Sequence, residues 1–215
     1  MENSILQNLR QEYEATPLDE DSILKNPVEQ FRIWFEDAVR SKLPEPNAMA
    51  LATANVDFKP SVRMVLLKGI EDNAFIFFTN YNSRKGKELL WNPYATLLFF
   101  WNELHRQVRI EGRVKKIPAE ESDRYFQLRP EGSQLSAMIS PQSEVIAGRK
   151  FLEEKLSDAE KEFSGKQIPR PEHWGGYKVI PQTIEFWQGR ASRLHDRILF
   201  TLVNENEWKI ERLAP

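Results

Sequence analysis

Residues 94–117 read YATLLFFWNELHRQVRIEGRVKKI. The first eight form a near-continuous apolar run, and residues 107–117 alternate. Val108, Ile110 and Val114 face one way, while Gln107, Arg109, Glu111, Arg113 and Lys115 face the other. Such alternation marks a strand with one side on a core and the other on solvent or ligand. The run at 94–101 is expected to be buried on both faces or to lie in a closed barrel.

Working outward, further strands are expected at residues 49–54, 61–70, 74–79 and 176–189. A hairpin is expected over 197–203 and 207–213 around Asn204-Glu205-Asn206. Helices interrupt the strands. Asn26 caps the first, Pro27 takes its first position and Glu29 completes a capping box. Val28, Phe31, Phe35 and Val39 then recur at helical spacing, and Pro44 and Pro46 stop it. Shorter helices are expected at 83–91 and 119–128, and a long charged one at 144–163. Six or seven mostly consecutive strands with helical insertions suggest a mainly β barrel with helical decoration.

The chain has 215 residues, 30 Lys+Arg against 32 Asp+Glu, and a net charge of −2. That balance gives no support to wholesale nucleic-acid binding. No apolar run is long enough to span a bilayer, and the N-terminus lacks a signal-peptide pattern, so a cytoplasmic protein is expected. With no cysteine, disulfides, thiolate metal sites and cysteine nucleophiles are excluded. Residues 1–25 are polar and read as a mobile arm, leaving 26–215 as a single domain.

Several familiar site patterns are absent. The three histidines, His105, His173 and His195, are not at metal-ligand spacing. There is no GxSxG elbow and no GxGxxG fingerprint. Residues 83–87, SRKGK, lack the upstream glycine and the Ser/Thr of a Walker A loop.

Four constellations remain. Arg63 and Lys68 place two cations in a strongly apolar strand, which calls for anions nearby. Ser83, Arg84 and Lys85 stand at a strand-to-helix junction suited to an anion. Tyr125 and Arg129 are one helical turn apart, with Ser133 beyond a Pro/Gly turn. Residues 187–197, WQGRASRLHDR, crowd three arginines, His195 and Asp196 into a loop between strands. Two phosphate-type clusters and a His/Arg loop imply two phosphorylated ligands.

At these residues the sequence resembles the pyridoxine/pyridoxamine 5′-phosphate oxidase family. The matching elements are RMVLLK (63–68), SRKGKEL (83–89), RQVRIEG (106–112), SPQS (140–143), HWGGY (173–177), IEFWQG (184–189), RLHDR (193–197) and RLAP (212–215). They run in order through nearly the whole chain. The resemblance implies an FMN-binding split β-barrel and a homodimer with FMN at its interface. It implies an oxidase that turns pyridoxine and pyridoxamine 5′-phosphate into pyridoxal 5′-phosphate with O2 as acceptor.

Carried over residue by residue, FMN would meet the stretch Arg63, Met64, Val65, Leu66, Leu67 and Lys68. It would also meet Phe78, Thr79, Arg84, Lys85, Gln107, Trp187 and Arg197, with Gln142 and Ser143 coming from the partner subunit. Substrate would meet Lys68, Tyr125, Arg129 and Ser133 at its phosphate, and Arg193, Leu194 and His195 at its ring. Arg193 and His195 are the expected catalytic pair, and Arg10 and Tyr13 belong to a segment that folds over substrate. Phe78 stands where the family often has Tyr, so a hydroxyl contact to FMN there is lost and a backbone contact is kept. Two alternatives are a split-barrel flavin oxidase for another small molecule and a non-catalytic FMN-binding protein.

Overall fold

A computed structural model describes Tyr13, residues 17–205 and residues 207–215. The chain packs as two compact units. Unit one draws on Met1–Met49, Leu97–Glu111 and Pro181–Pro215, and unit two on Ala50–Thr96 and Gly112–Ile180. The described residues hold nine strands, more than the six or seven expected.

In chain order the strands are β1 (Ala48–Ala54), β2 (Pro60–Leu66), β3 (Gly69–Glu71), β4 (Ala74–Asn80) and β5 (Tyr94–Trp101). Then come β6 (Arg106–Lys116), β7 (Trp174–Gln188), β8 (Asp196–Asn204) and β9 (Glu207–Arg212). The α-helices are α1 (Pro27–Arg40), α2 (Arg84–Trp91), α3 (Ala119–Gln127), α4 (Glu131–Ile139) and α5 (Arg149–Phe163). None is long and apolar enough to cross a membrane.

The strands pair in the order β2-β1-β5-β6-β7-β4-β3, with β8 on β7 and β9 on β8. The β4–β7 pair is antiparallel and in register from Phe75 opposite Val179 to Asn80 opposite Trp174. Beside this sheet, α3, α4 and α5 bring together a core of Phe126, Leu135, Ala159, Ile168 and Trp174. Ser83 caps α2 by accepting from the Gly86 amide at 3.3 Å. Gly86 is required there because a Cβ would collide with the Tyr81 carbonyl.

Unit one contains an antiparallel β7–β8–β9 meander that sets Trp187 opposite Arg197 and Ile198 opposite Arg212. Helix α1 starts as expected, with the Asn26 side chain accepting from the amides of Val28 and Glu29. Its buried stripe is Val28, Phe31, Trp34 and Ala38, whereas Val39 is 50% exposed. The core-facing line thus follows i, i+3, i+6/7, one step round from the line through Phe35 and Val39. Phe31 meets Phe99 edge-on at 4.9 Å, and Trp34 meets Phe186 at 5.1 Å.

Other local expectations shift. Residues 61–70 are not one strand: the ladder breaks at Leu67-Lys68, where the Lys68 amide donates to the Ile76 carbonyl at 2.8 Å. In β5 only Ala95, Leu97, Phe99 and Trp101 are buried, while Tyr94 and Phe100 stay half exposed. An apolar run does not say which of its faces receives a covering layer. The long helix begins at Arg149, after Gly148 at φ 154°. Helix α4 was not expected; Pro130 opens it where Pro-Glu-Gly reads locally as a turn.

Candidate active site

Unit two encloses a cavity of about 640 Å³. Met64, Val65, Leu66 and Lys68 line it from β2 and the segment after it, Phe78 and Thr79 from β4, and Lys85 from α2. Tyr125, Arg129, Ser133, Gln142 and Trp174 complete its wall. The structure therefore unites members of three constellations: Lys68, Lys85, and Tyr125 with Arg129 and Ser133. Arg63 and Leu67 do not line the cavity, though their neighbours do.

Arg129 sits over the Trp174 ring, 4.6 Å from its centroid. Its Nη1 is buried and, among the described residues, has no hydrogen-bond partner. Tyr125 stacks on Phe78 at 3.9 Å, and Phe78 stacks on Trp174 at 5.4 Å. The ring of Phe78 is thus a spacer that fixes Tyr125, a role that needs no hydroxyl.

Lys85 is 8% exposed. Its Nζ donates to Gln142 Oε1 at 3.2 Å and to Ser83 Oγ at 3.4 Å. Among the described residues no carboxylate forms an ion pair with it. Burial, followed by the Arg63 charge, pushes the Lys85 amine down, and Glu88 opposes them. Thr79 also reaches Gln142 Oε1, at 3.2 Å. The resemblance takes Gln142 from the partner subunit; here it lies on Lys85 and Thr79 of its own chain.

A buried cation without an anion is costly, and an orphaned buried guanidinium nitrogen more so. Lys85 and Arg129 both open into one cavity. That donor set fits phosphate groups, which a phosphorylated cofactor and a phosphorylated substrate both carry.

Arg63 and Arg84 have a partner already. Both pair with the buried Glu88, Arg63 Nη2 at 3.2 Å and Arg84 Nε at 2.9 Å. Burial pushes the Glu88 carboxyl up, but hydrogen bonds from Ser61, Thr53 and Arg84 and the Arg63 charge outweigh it and bring it to about 2. Arg84 and Ser143 border a neighbouring cavity of about 480 Å³.

Unit one gathers the loop constellation. His195 lies 4.7 Å from the Trp187 ring, and its Nδ1 accepts from the Arg190 amide at 3.1 Å. Tyr13 packs against His105 at 4.6 Å, His195 at 5.7 Å and Trp187 at 5.9 Å. Gly189 leaves room for that ring, which a Cβ would crowd. Arg10 lies outside the described residues. Arg193 and Leu194 are exposed, and Ser192 and Arg193 both take positive φ, 55° and 61°. Gln107 is half-buried on β6. Arg197 is held by Glu185 at 2.8 Å and by the Ala214 carbonyl at 2.8 Å.

Three site residues escaped the sequence reading: Glu88, Glu185 and Trp174. Glu88 alone had a local signal, an i,i+4 spacing from Arg84. The others act through strand pairing and packing, which spacing does not encode.

Residues 35–161 match the family model described as pyridoxamine 5′-phosphate oxidase, and residues 174–215 match the pyridoxine 5′-phosphate oxidase C-terminal dimerisation region. The chain belongs to the pyridoxamine 5′-phosphate oxidase family. It is 54% identical over 208 residues to the pyridoxine/pyridoxamine 5′-phosphate oxidase of Trichormus variabilis, covering 97% of each chain. The Salinibacter ruber relative of the same name is 53% identical over 214 residues, covering 99% of this chain and all of that one.

Among solved structures, PhzG from Burkholderia lata, in complex with tetrahydrophenazine-1-carboxylic acid, superposes with TM-score 0.87 at 30% identity. That match covers 94% of this chain and 99% of PhzG. A pyridoxamine 5′-phosphate oxidase-related, FMN binding protein from Nostoc punctiforme gives TM-score 0.69 at 17% identity, over 86% of this chain and 97% of that one, a likeness of fold. The mainly β split-barrel class expected from the resemblance is thus the class of this pyridoxamine 5′-phosphate oxidase family member, and oxidoreductase is its enzyme class.

Proposed function

We propose that this chain is an FMN-dependent oxidase of vitamin B6 metabolism. It oxidises the C4′ carbon of pyridoxine 5′-phosphate, with O2 becoming H2O2 and pyridoxal 5′-phosphate as product. From pyridoxamine 5′-phosphate the same product forms with uptake of water and release of NH3. The observation that carries this reading is the pair of unmatched cations, Lys85 and Arg129, in one cavity. FMN, when bound, supplies the hydride acceptor and its reoxidation by O2; the protein supplies binding, orientation and electrostatics.

On this reading Lys85, Thr79 and Gln142 meet the FMN phosphate. Arg129, Lys68, Tyr125 and Ser133 anchor the substrate phosphate, which turns ring placement into positional catalysis. His195 and Arg193 hold and polarise the pyridine ring, and Trp187, Gln107 and Arg197 contact the flavin. The protein works as a homodimer with FMN at the interface, a reading that the matched dimerisation region supports. Its expected compartment is the cytoplasm, and its curated relatives at 53–54% identity carry the oxidase name.

The test is product formation by the FMN-loaded protein and by Arg193→Leu. The wild-type protein is expected to make pyridoxal 5′-phosphate, and the variant to keep its flavin while losing most of kcat/KM. Near-normal turnover in the variant overturns the role of Arg193. Turnover of a phenazine precursor, but of neither B6 phosphate, would move the chain to the PhzG side of the fold.

A further inference from the structure

Glu88 has no part in the roles assigned above, yet it is a buried carboxylate that accepts four hydrogen bonds one turn along α2 from Lys85, and it lines the cavity of about 480 Å³. It is 4% exposed. Its Oε2 accepts from the Thr53 hydroxyl, from the Ser61 hydroxyl at 2.6 Å and from Arg63 Nη2 at 3.2 Å. Its Oε1 accepts from Arg84 Nε at 2.9 Å. The same two hydroxyls accept from Arg63, Thr53 from Nη1 and Ser61 from Nη2, and Nη1 also donates to the Leu51 carbonyl at 3.1 Å. Every Nη hydrogen of Arg63 is thereby committed within the chain. Lys85 is left as the buried cation without an anion.

We propose that Glu88 is the positioning residue of the cofactor's phosphate subsite: it orders the Arg63 and Arg84 guanidiniums beside Lys85 and balances part of their charge. This rests on the reading that the cavity takes FMN. Coulomb's law alone gives the opposite expectation, since an anion beside a phosphate site repels the phosphate. The hydrogen-bond pattern decides against it. Without Glu88, three cations of like sign crowd one place, and Arg63 loses the acceptor that orders it. Burial and Arg63 already push Lys85 toward its neutral form, and Glu88 opposes that loss of charge.

The test compares FMN with riboflavin, which has the same ring and no phosphate. Each is titrated into the full-length, flavin-freed chain and into Glu88→Gln by quenching of flavin fluorescence. The variant is expected to bind FMN about tenfold or more weakly and riboflavin within about twofold of wild type. An equal loss for both flavins makes Glu88 merely structural and overturns the inference, as does unchanged or tighter FMN binding. If wild type binds neither flavin, the reading of the cavity fails, and the inference with it. Should Glu88→Gln not fold, Thr53→Val keeps the carboxylate and removes one hydroxyl link to Arg63. It is expected to weaken FMN by about threefold with riboflavin unchanged, and an equal effect on both overturns the proposal.

Discussion

The backbone N–H of Arg190 donates to Nδ1 of His195 at 3.1 Å. An acceptor nitrogen carries no proton, so the neutral ring of His195 bears its hydrogen on Nε2. Burial, followed by the charge of Arg193, pushes the imidazole below the ordinary histidine range, with Asp196 opposing. His195 is therefore neutral at pH 7, a hydrogen-bond donor from Nε2.

A pH titration followed by NMR should find His195 titrating below an unperturbed histidine. The sign follows from a depressed folded value: the neutral form's small stabilisation is present above the ordinary histidine value and fades as pH falls through the folded one. His195→Gln should lower kcat/KM by about tenfold to a hundredfold and leave FMN bound. A raised titration point contradicts the account.

On the proposed reading Arg129 offers the substrate phosphate a guanidinium whose Nη1 is buried and, among the described residues, unpartnered. Arg129→Met should raise KM for pyridoxine 5′-phosphate by about a hundredfold, the worth of a strong charge-assisted pair, with kcat little changed. Its Tm should not fall, because an uncompensated charge leaves a half-buried place. Steady-state kinetics and thermal unfolding of one preparation check both halves. An unchanged KM contradicts the phosphate role.

Glu88 ties folding to acid. Its folded value of about 2 lies below the usual 4.5. A depressed carboxylate stabilises fully above the usual value, and that contribution is lost as pH falls from about 4.5 toward 2. The shift corresponds to roughly 3 kcal/mol. Urea midpoints at pH 6 and pH 3 should fall further for wild type than for Glu88→Gln. Equal falls contradict the assignment.

The N-terminal arm is tied at its base. Arg212 donates to both carboxylate oxygens of Glu20, to the Leu18 carbonyl at 2.9 Å and to Asp196 Oδ1 at 2.8 Å. Asp196 Oδ2 in turn accepts from the Leu18 amide at 3.1 Å. Arg212→Met should speed tryptic cleavage after Lys25 and raise substrate KM, with FMN affinity kept. Isolated surface pairs contribute little, but a network with a two-oxygen grip on one carboxylate does more. Unchanged proteolysis contradicts the tether.

What could be read from the sequence was local. The Asn26-Pro27 start of α1 and the alternation through Val108, Ile110 and Val114 are short-range patterns, and both hold in the structure. The burial of Tyr94–Trp101 on one face only depends on which layers arrive from elsewhere in the chain. Pro130-Glu131-Gly132 carries turn residues yet opens α4, because Pro suits the start of a helix as well as a turn. Of the site, the cations were legible as residues out of place in apolar or crowded stretches. Their partners were not: Glu88 meets Thr53 and Arg63 across 35 and 25 residues, and Arg129 meets Trp174 by packing.

The most direct measurement is a visible absorbance spectrum of the FMN-loaded protein, taken without oxygen before and after adding pyridoxine 5′-phosphate, then again in air. The account predicts flavin bands that bleach with the substrate and return with air, with pyridoxal 5′-phosphate in solution. Bands that stay oxidised through the anaerobic addition would contradict it.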